Sequence, residues 1–298
     1  MTAKKSVSLV LGSGGARGMA HIGVIEVLEE NGYEIREIAG SSVGALVGGV
    51  YAAGQLAEFK EWICNLGRVD VFGLMDFSFS SKGFIKGDKV FHVLKKIVKE
   101  QKIEDLKIPF SCNAVDYHEG LDRVFDSGSL FQAIRASVSI PSLVQPAVID
   151  GVEYIDGGVL NPLPVDLLKK KSQKVLAVNL NALGDSYVKP PKKDHGGNRL
   201  IQTPGWLKEY QGKMNSYFDR HKEVSKRKSL GSLDLINRSM ELLHDRVSQL
   251  TLEKHGVDVV VDISKRQAST MEFYRAAEMI EIGRIKAEKA IKKLENEP

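Results

Sequence analysis

Five residues, Gly40-Ser41-Ser42-Val43-Gly44, constrain this chain more than any other stretch. A short apolar approach, Ile38-Ala39, runs into them, and a helix-like run rich in small residues continues to Ala53. G-x-S-x-G between a strand and a helix is a nucleophile elbow. The turn is so tight that Gly40 and Gly44 must flank the serine, whose hydroxyl stands at the tip. The helix behind it aims its first N–H groups at whatever Ser42 attacks, and Val43 supplies one of them. The pattern alone is common. Its meaning depends on whether the chain also supplies an anion cradle and a proton acceptor.

A cradle is offered upstream. Ser6–Leu11 reads as a buried strand feeding Gly12-Ser13-Gly14-Gly15-Ala16-Arg17-Gly18, four glycines in seven residues, and His21–Asn31 reads as the helix that follows. Such a loop between strand and helix gathers backbone N–H groups around an anion. It is not a dinucleotide fingerprint, because the third position of G-x-G-x-x-G falls on Arg17. It is not a P-loop, because no Lys-Ser/Thr pair follows. Two readings stay open. In one, the amides of Gly14, Gly15 and Ala16 converge on a developing oxyanion with the Arg17 cation nearby. In the other, the loop is a tight turn and Arg17 has a structural ion pair.

The proton acceptor is harder to find. None of the seven histidines falls in a late strand-end loop with an acidic partner, as a conventional triad requires. His21 lies just past the glycine loop, where packing or capping is its ordinary role. Asp156 ends the strand-like run Val152–Ile155, directly before Gly157-Gly158. A partly desolvated carboxylate there has a raised pKa and takes a serine proton directly. An ordinary Asp-Gly turn fits the same spacing.

Strands alternate with helices along the chain, which argues for a mainly parallel sheet in an α/β layer architecture. At 298 residues and 43% hydrophobic content there is enough material for one sizeable core. No apolar run reaches the roughly 18–20 residues of a membrane-spanning helix. Cys64 and Cys112 form no metal or redox spacing, so a reduced, cytoplasmic setting is the default. Val69–Gly87 reads as an aromatic loop, with Phe72, Phe77, Phe79 and Phe84 available to line an acyl groove or to pack beneath it. Residues 186–232 hold eleven Lys/Arg against four acids, with Trp206, Tyr210, Tyr217 and Phe218 interleaved. Such an element suits a solvated lid, a protein contact or the anionic headgroups at the inner face of a membrane. No nucleic-acid module accompanies the charge.

Taken in order, Gly12–Gly18, Gly40–Gly44 and Asp156-Gly157-Gly158 resemble the patatin-like phospholipase family. Arg135-Ala136-Ser137-Val138-Ser139-Ile140-Pro141 is similar to the family's segment ahead of the aspartate, and Asn161-Pro162-Leu163-Pro164 to its continuation. The resemblance covers roughly residues 6–180. It implies a three-layer α/β sandwich like that of patatin and cytosolic phospholipase A2, with a Ser42–Asp156 dyad. It also implies an oxyanion hole from Gly14, Gly15 and neighbours, a lipid or acyl-ester substrate, and no metal or other cofactor. The expected organisation is a catalytic core at 6–180, a basic insert or lid at 181–232, and a helix-strand-helix at 233–298 completing the same domain. Acyl transfer from a carrier thioester, and a binding protein that kept the fold, remain as alternatives to ester hydrolysis.

Overall fold

The computed structural model describes residues 5–74, 87–141, 143–169, 174–183, 188 and 232–296. The basic segment at 186–232 falls outside them apart from Val188 and Ser232, as do Phe77, Phe79, Phe84, His195 and His221. The chain divides into two compact units, Met1–Pro190 with Glu241–Pro298, and Pro191–Met240. The first carries the whole described sheet.

That sheet has eight strands: β1 (Ser6–Leu11), β2 (Glu34–Ser41), β3 (Phe110–Asp116), β4 (Leu121–Phe125), β5 (Ala147–Ile149), β6 (Val152–Asp156), β7 (Lys174–Ala182) and β8 (Val259–Ser264). Parallel pairing joins β8, β7, β1, β2 and β3 in that order. Sequence explains which strands are central. In β1, the run Val7–Leu11 is buried on both faces, and β7 is buried from Val175 to its end. Strands covered on both sides carry largely apolar runs, here interrupted by the buried Ser8, Asn179 and Asn181.

Among the described residues the helices are α1 (Ala20–Glu30), α2 (Val43–Ala52), α3 (Leu56–Cys64), α4 (Arg68–Leu74), α5 (Asp88–Val98), α6 (Leu130–Ser137), α7 (Ser232–Lys254) and α8 (Ala276–Asn296). The last packs along α1 at van der Waals backbone distance. A Cβ on Gly23 would lie 2.0 Å from the Ile280 carbonyl oxygen, and one on Gly283 would lie 2.1 Å from that of Ala20. One expectation fails locally. The start of the Val69–Gly87 segment, read as loop, belongs to α4 (Arg68–Leu74), started by the Asp70 carboxylate accepting the Gly67 amide at 2.8 Å and held by buried Val71. The long C-terminal helix begins at Ala276 and not at Met271, since Phe273–Arg275 form a separate 3-10 turn.

The decisive detail is on β3. Its Cys112 and Asn113 face β2 on one edge and β4 on the other. From Ala114 onward β4 continues, while β6 takes over the edge that β2 has left. Ser41 pairs with Asn113, and Asp156 pairs with Ala114, so the ends of β2 and β6 meet at consecutive rungs of one strand.

Candidate active site

At that meeting point Ser42 follows β2 with φ 54° and ψ −122°. A non-glycine residue in this region stores about 1–3 kcal/mol of strain and persists only where its surroundings over-determine it. Here they do. A Cβ on Gly44 would lie 2.0 Å from the Leu11 carbonyl oxygen, so the elbow lies directly on the end of β1. One on Gly40 would lie 2.6 Å from the Gly44 carbonyl oxygen. A Cβ on Gly18 would meet both Val43 methyls at 2.3 Å, so the glycine loop nests against the first turn of α2.

Ser42 Oγ donates to Asp156 Oδ2 at 2.5 Å, and the Gly158 amide donates to Asp156 Oδ1 at 2.7 Å. Both side chains are almost out of water, at 3% and 5% exposure. Burial pushes the Asp156 carboxyl from its ordinary 3.8 up to about 7, against the opposing pull of the Ser42 hydroxyl and the Gly158 amide. The two glycines are there for space. A Cβ on Gly157 would lie 2.3 Å from the Asn113 carbonyl oxygen, and one on Gly158 would lie 2.9 Å from Asp156 Oδ1 and from Ser13 Oγ.

The glycine loop is tied down at its start. The Gly12 amide donates to Val178 O at 3.0 Å and the Ser13 amide to Pro162 O at 2.8 Å. Gly14 and Gly15 amides have no acceptor among the described residues, and neither does the Val43 amide at the start of α2. Gly15 and Val43 face the same cavity as Ser42. Two expected members of the cradle are otherwise engaged. The Ala16 amide donates to Thr270 O at 2.9 Å. The Arg17 guanidinium is buried and turned toward the far side of the loop, where Nε donates to Leu180 O at 2.9 Å and Nη1 to Ala268 O at 2.9 Å. Its Nη2 reaches Asn181 Oδ1 at 3.4 Å. Burial lowers its pKa to about 10, against the opposing pull of the Glu241 carboxylate. Arg17 bolts the loop to β7 and the chain after β8.

His21 is fully buried, and its Nε2 lies 2.9 Å from Gly12 O. A carbonyl only accepts, so Nε2 carries the hydrogen. Burial lowers this imidazole to about 4, and it stays neutral beneath the glycine loop. Sequence reasoning missed Ser137, whose Oγ accepts the Ser42 amide at 2.9 Å from a position 95 residues away. It was visible only as part of the Arg135–Pro141 pattern. Thr270, whose carbonyl fixes the glycine loop, carried no signal at all.

A cavity of about 150 Å³ opens beside Ser42. Leu46, Phe59, Phe91, Leu94, Val138 and Ile140 are among its walls, and no charged side chain lines it among the described residues. Its walls come from α2, α3, α4, α5 and the stretch after α6, with Met271 and Phe273 adding the segment before α8.

A mainly parallel α/β sheet with a strand–elbow–helix serine at the edge of an apolar cavity defines an α/β protein of the elbow-serine class. Comparison narrows the class. Residues 9–169 match the family described as patatin-like phospholipase. The chain belongs to that family and is a lipid ester hydrolase. It is 32% identical, over 97% of its own length and 92% of the relative's, to an NTE family protein of Mycobacterium tuberculosis. It is 33% identical to the lysophospholipase NTE1 of Scheffersomyces stipitis and 36% identical to that of Mycosarcoma maydis, in each case over 61% of this chain. Those matches span only 12% and 10% of the two fungal proteins. Among solved structures, VipD from Legionella pneumophila aligns with 97% of this chain and 67% of its own at a TM-score of 0.46 and 14% identity.

Proposed function

We propose that the chain cleaves acyl esters of phospholipids or lysophospholipids through an acyl-Ser42 intermediate, with Asp156 as the base. The observation that carries this is the 2.5 Å Ser42–Asp156 hydrogen bond at the mouth of an apolar cavity. As Ser42 Oγ attacks the ester carbonyl carbon, its proton passes to Asp156 Oδ2. Negative charge develops on the former carbonyl oxygen, for which the Gly14, Gly15 and Val43 amides are the available donors. Collapse expels the alcohol oxygen, which takes the proton from Asp156. Water then gives a proton to Asp156 and attacks the acyl carbon, and the fatty acid leaves as Ser42 recovers its hydrogen.

Carboxylates near their own pKa at the working pH make effective proton acceptors, and a value near 7 fits this task. An oxyanion donor of this kind is typically worth about 3–4 kcal/mol of transition-state stabilisation. The uncharged cavity suits an acyl chain and excludes a headgroup, so the headgroup remains outside it. The fungal relatives' name supports a lysophospholipid as the first substrate to try. The basic composition of 186–232 supports contact with anionic lipid, as expected of a protein that draws substrate from a membrane face.

A fluorophosphonate probe tests the reading. Wild type is expected to label at Ser42 and to release fatty acid from lysophosphatidylcholine. Ser42→Ala is expected to fold, to escape labelling and to release none. Turnover by Ser42→Ala at the wild-type rate refutes the assignment.

A further inference from the structure

Residues 137–139 touch both halves of the Ser42–Asp156 pair. Ser137 closes α6, and its Oγ accepts the Ser42 amide at 2.9 Å. Two residues later the Ser139 carbonyl accepts the Asp156 amide at 3.0 Å. Both serines are fully buried. The bridge therefore grips the backbone of each partner and leaves their side chains free to meet.

The stretch is itself braced. Arg135 Nη1 donates to Ser139 Oγ at 2.6 Å, and Ser139 Oγ donates back to the Arg135 carbonyl at 2.9 Å. Arg135 Nη2 donates to Gln145 O at 2.9 Å, and its guanidinium lies 4.2 Å from the centre of the Phe91 ring. Consecutive turns fix the backbone, with the Val138 amide on Ile134 O, that of Ser139 on Ala136 O and that of Ile140 on Val138 O. Val138 and Ile140, alternating with the serines, face the cavity.

We propose that Ser137 is a positioning residue for ester hydrolysis, and that residues 137–139 set the separation of Ser42 and Asp156. This rests on the reading of Ser42 as nucleophile. The hydroxyl of Ser137 does not reach the reacting atoms. It holds the amide of a residue whose positive φ would otherwise relax, and relaxation carries Oγ away from Asp156 and from the free amides of the cradle. Misplacing a reacting group by about 1 Å costs on the order of 100-fold in rate.

The test uses Ser137→Ala, Ser137→Cys and Ser137→Thr in the full chain, with folded enzyme counted by fluorophosphonate titration of Ser42. Cysteine keeps the size of the side chain but accepts a hydrogen bond poorly, so it carries the test if the alanine variant does not fold. Threonine keeps the acceptor oxygen. The expected result is a kcat per titrated site about 10- to 100-fold lower in Ala and Cys. KM is expected to change less than about threefold and the threonine variant to recover most of the rate. Wild-type kcat per titrated site in Ala or Cys, or an equal loss in all three variants, overturns the proposal. Failure of wild type to label at Ser42 overturns the underlying catalytic reading instead, before any variant is made.

Discussion

Replacing Asp156 by asparagine is expected to abolish turnover and at the same time to stabilise the fold, increasingly so as pH rises. The carboxyl titrates at about 7 in the folded protein against an ordinary 3.8, because it is buried. Below about pH 4 it is protonated whether the chain is folded or not, and it has no pH-dependent effect. Between about 4 and 7 the folded state holds a proton that the unfolded chain has released, so stability falls with rising pH. Above about 7 the loss is complete. Three pH units at about 1.4 kcal/mol each amount to about 4 kcal/mol. Asparagine has nothing to ionise, and its Oδ1 can accept from the Gly158 amide while Nδ2 donates to Ser42 Oγ. The gap between Asp156→Asn and wild type should therefore rise from near zero at about pH 4 to as much as about 4 kcal/mol at about pH 8.5. Scanning calorimetry across that range reads it as a melting temperature higher by several degrees, at about 2 °C per kcal/mol. A variant no more stable than wild type at about pH 8.5 would refute the reasoning. So would a gap of the same size at about pH 5 and about pH 8.5.

Two further outcomes follow from the same geometry. The wild-type kcat/KM is expected to rise with pH along a single limb centred near 7, where Asp156 loses its proton, and a limb near 4 would mean that the base is not buried as described. Arg17→Met is expected to lower the melting temperature, because buried acceptors left unpaired cost about 1–3 kcal/mol each. Its kcat per labelled site should stay within a few-fold of wild type, and a stable variant with a large kcat loss would return Arg17 to the oxyanion.

What could be read from the sequence was local. The elbow, the glycine loop and the D-G-G turn are each a few residues long, and their shapes follow from where glycine is required. The glycine loop and the elbow follow β1 and β2 as strand–helix alternation places them, whereas the D-G-G turn ends β6 of an antiparallel hairpin. What could not be read depends on partners far along the chain. Arg17 looks like a cation beside an anion cradle until Leu180, Asn181 and Ala268 arrive from more than 160 residues away to engage it. The Ala16 amide looks available until Thr270 O covers it. The helix at 68–74 escaped because seven residues are too few to show a periodic face, and its start signal is a side chain bonding three residues back to Gly67.

The shared edge of β3 brings together two residues far apart in the chain. Ser42 and Asp156 are 114 positions apart, yet each is set by its own rung, opposite or beside Asn113 and Ala114. The helices α3, α4 and α5 come between β2 and β3 in the chain, and they supply much of the cavity wall. Much of the cavity wall and the register of Ser42 and Asp156 are thus set by different parts of the chain. A slip of β6 by a single residue, which changes no composition at all, would turn Asp156 to the opposite face of the sheet.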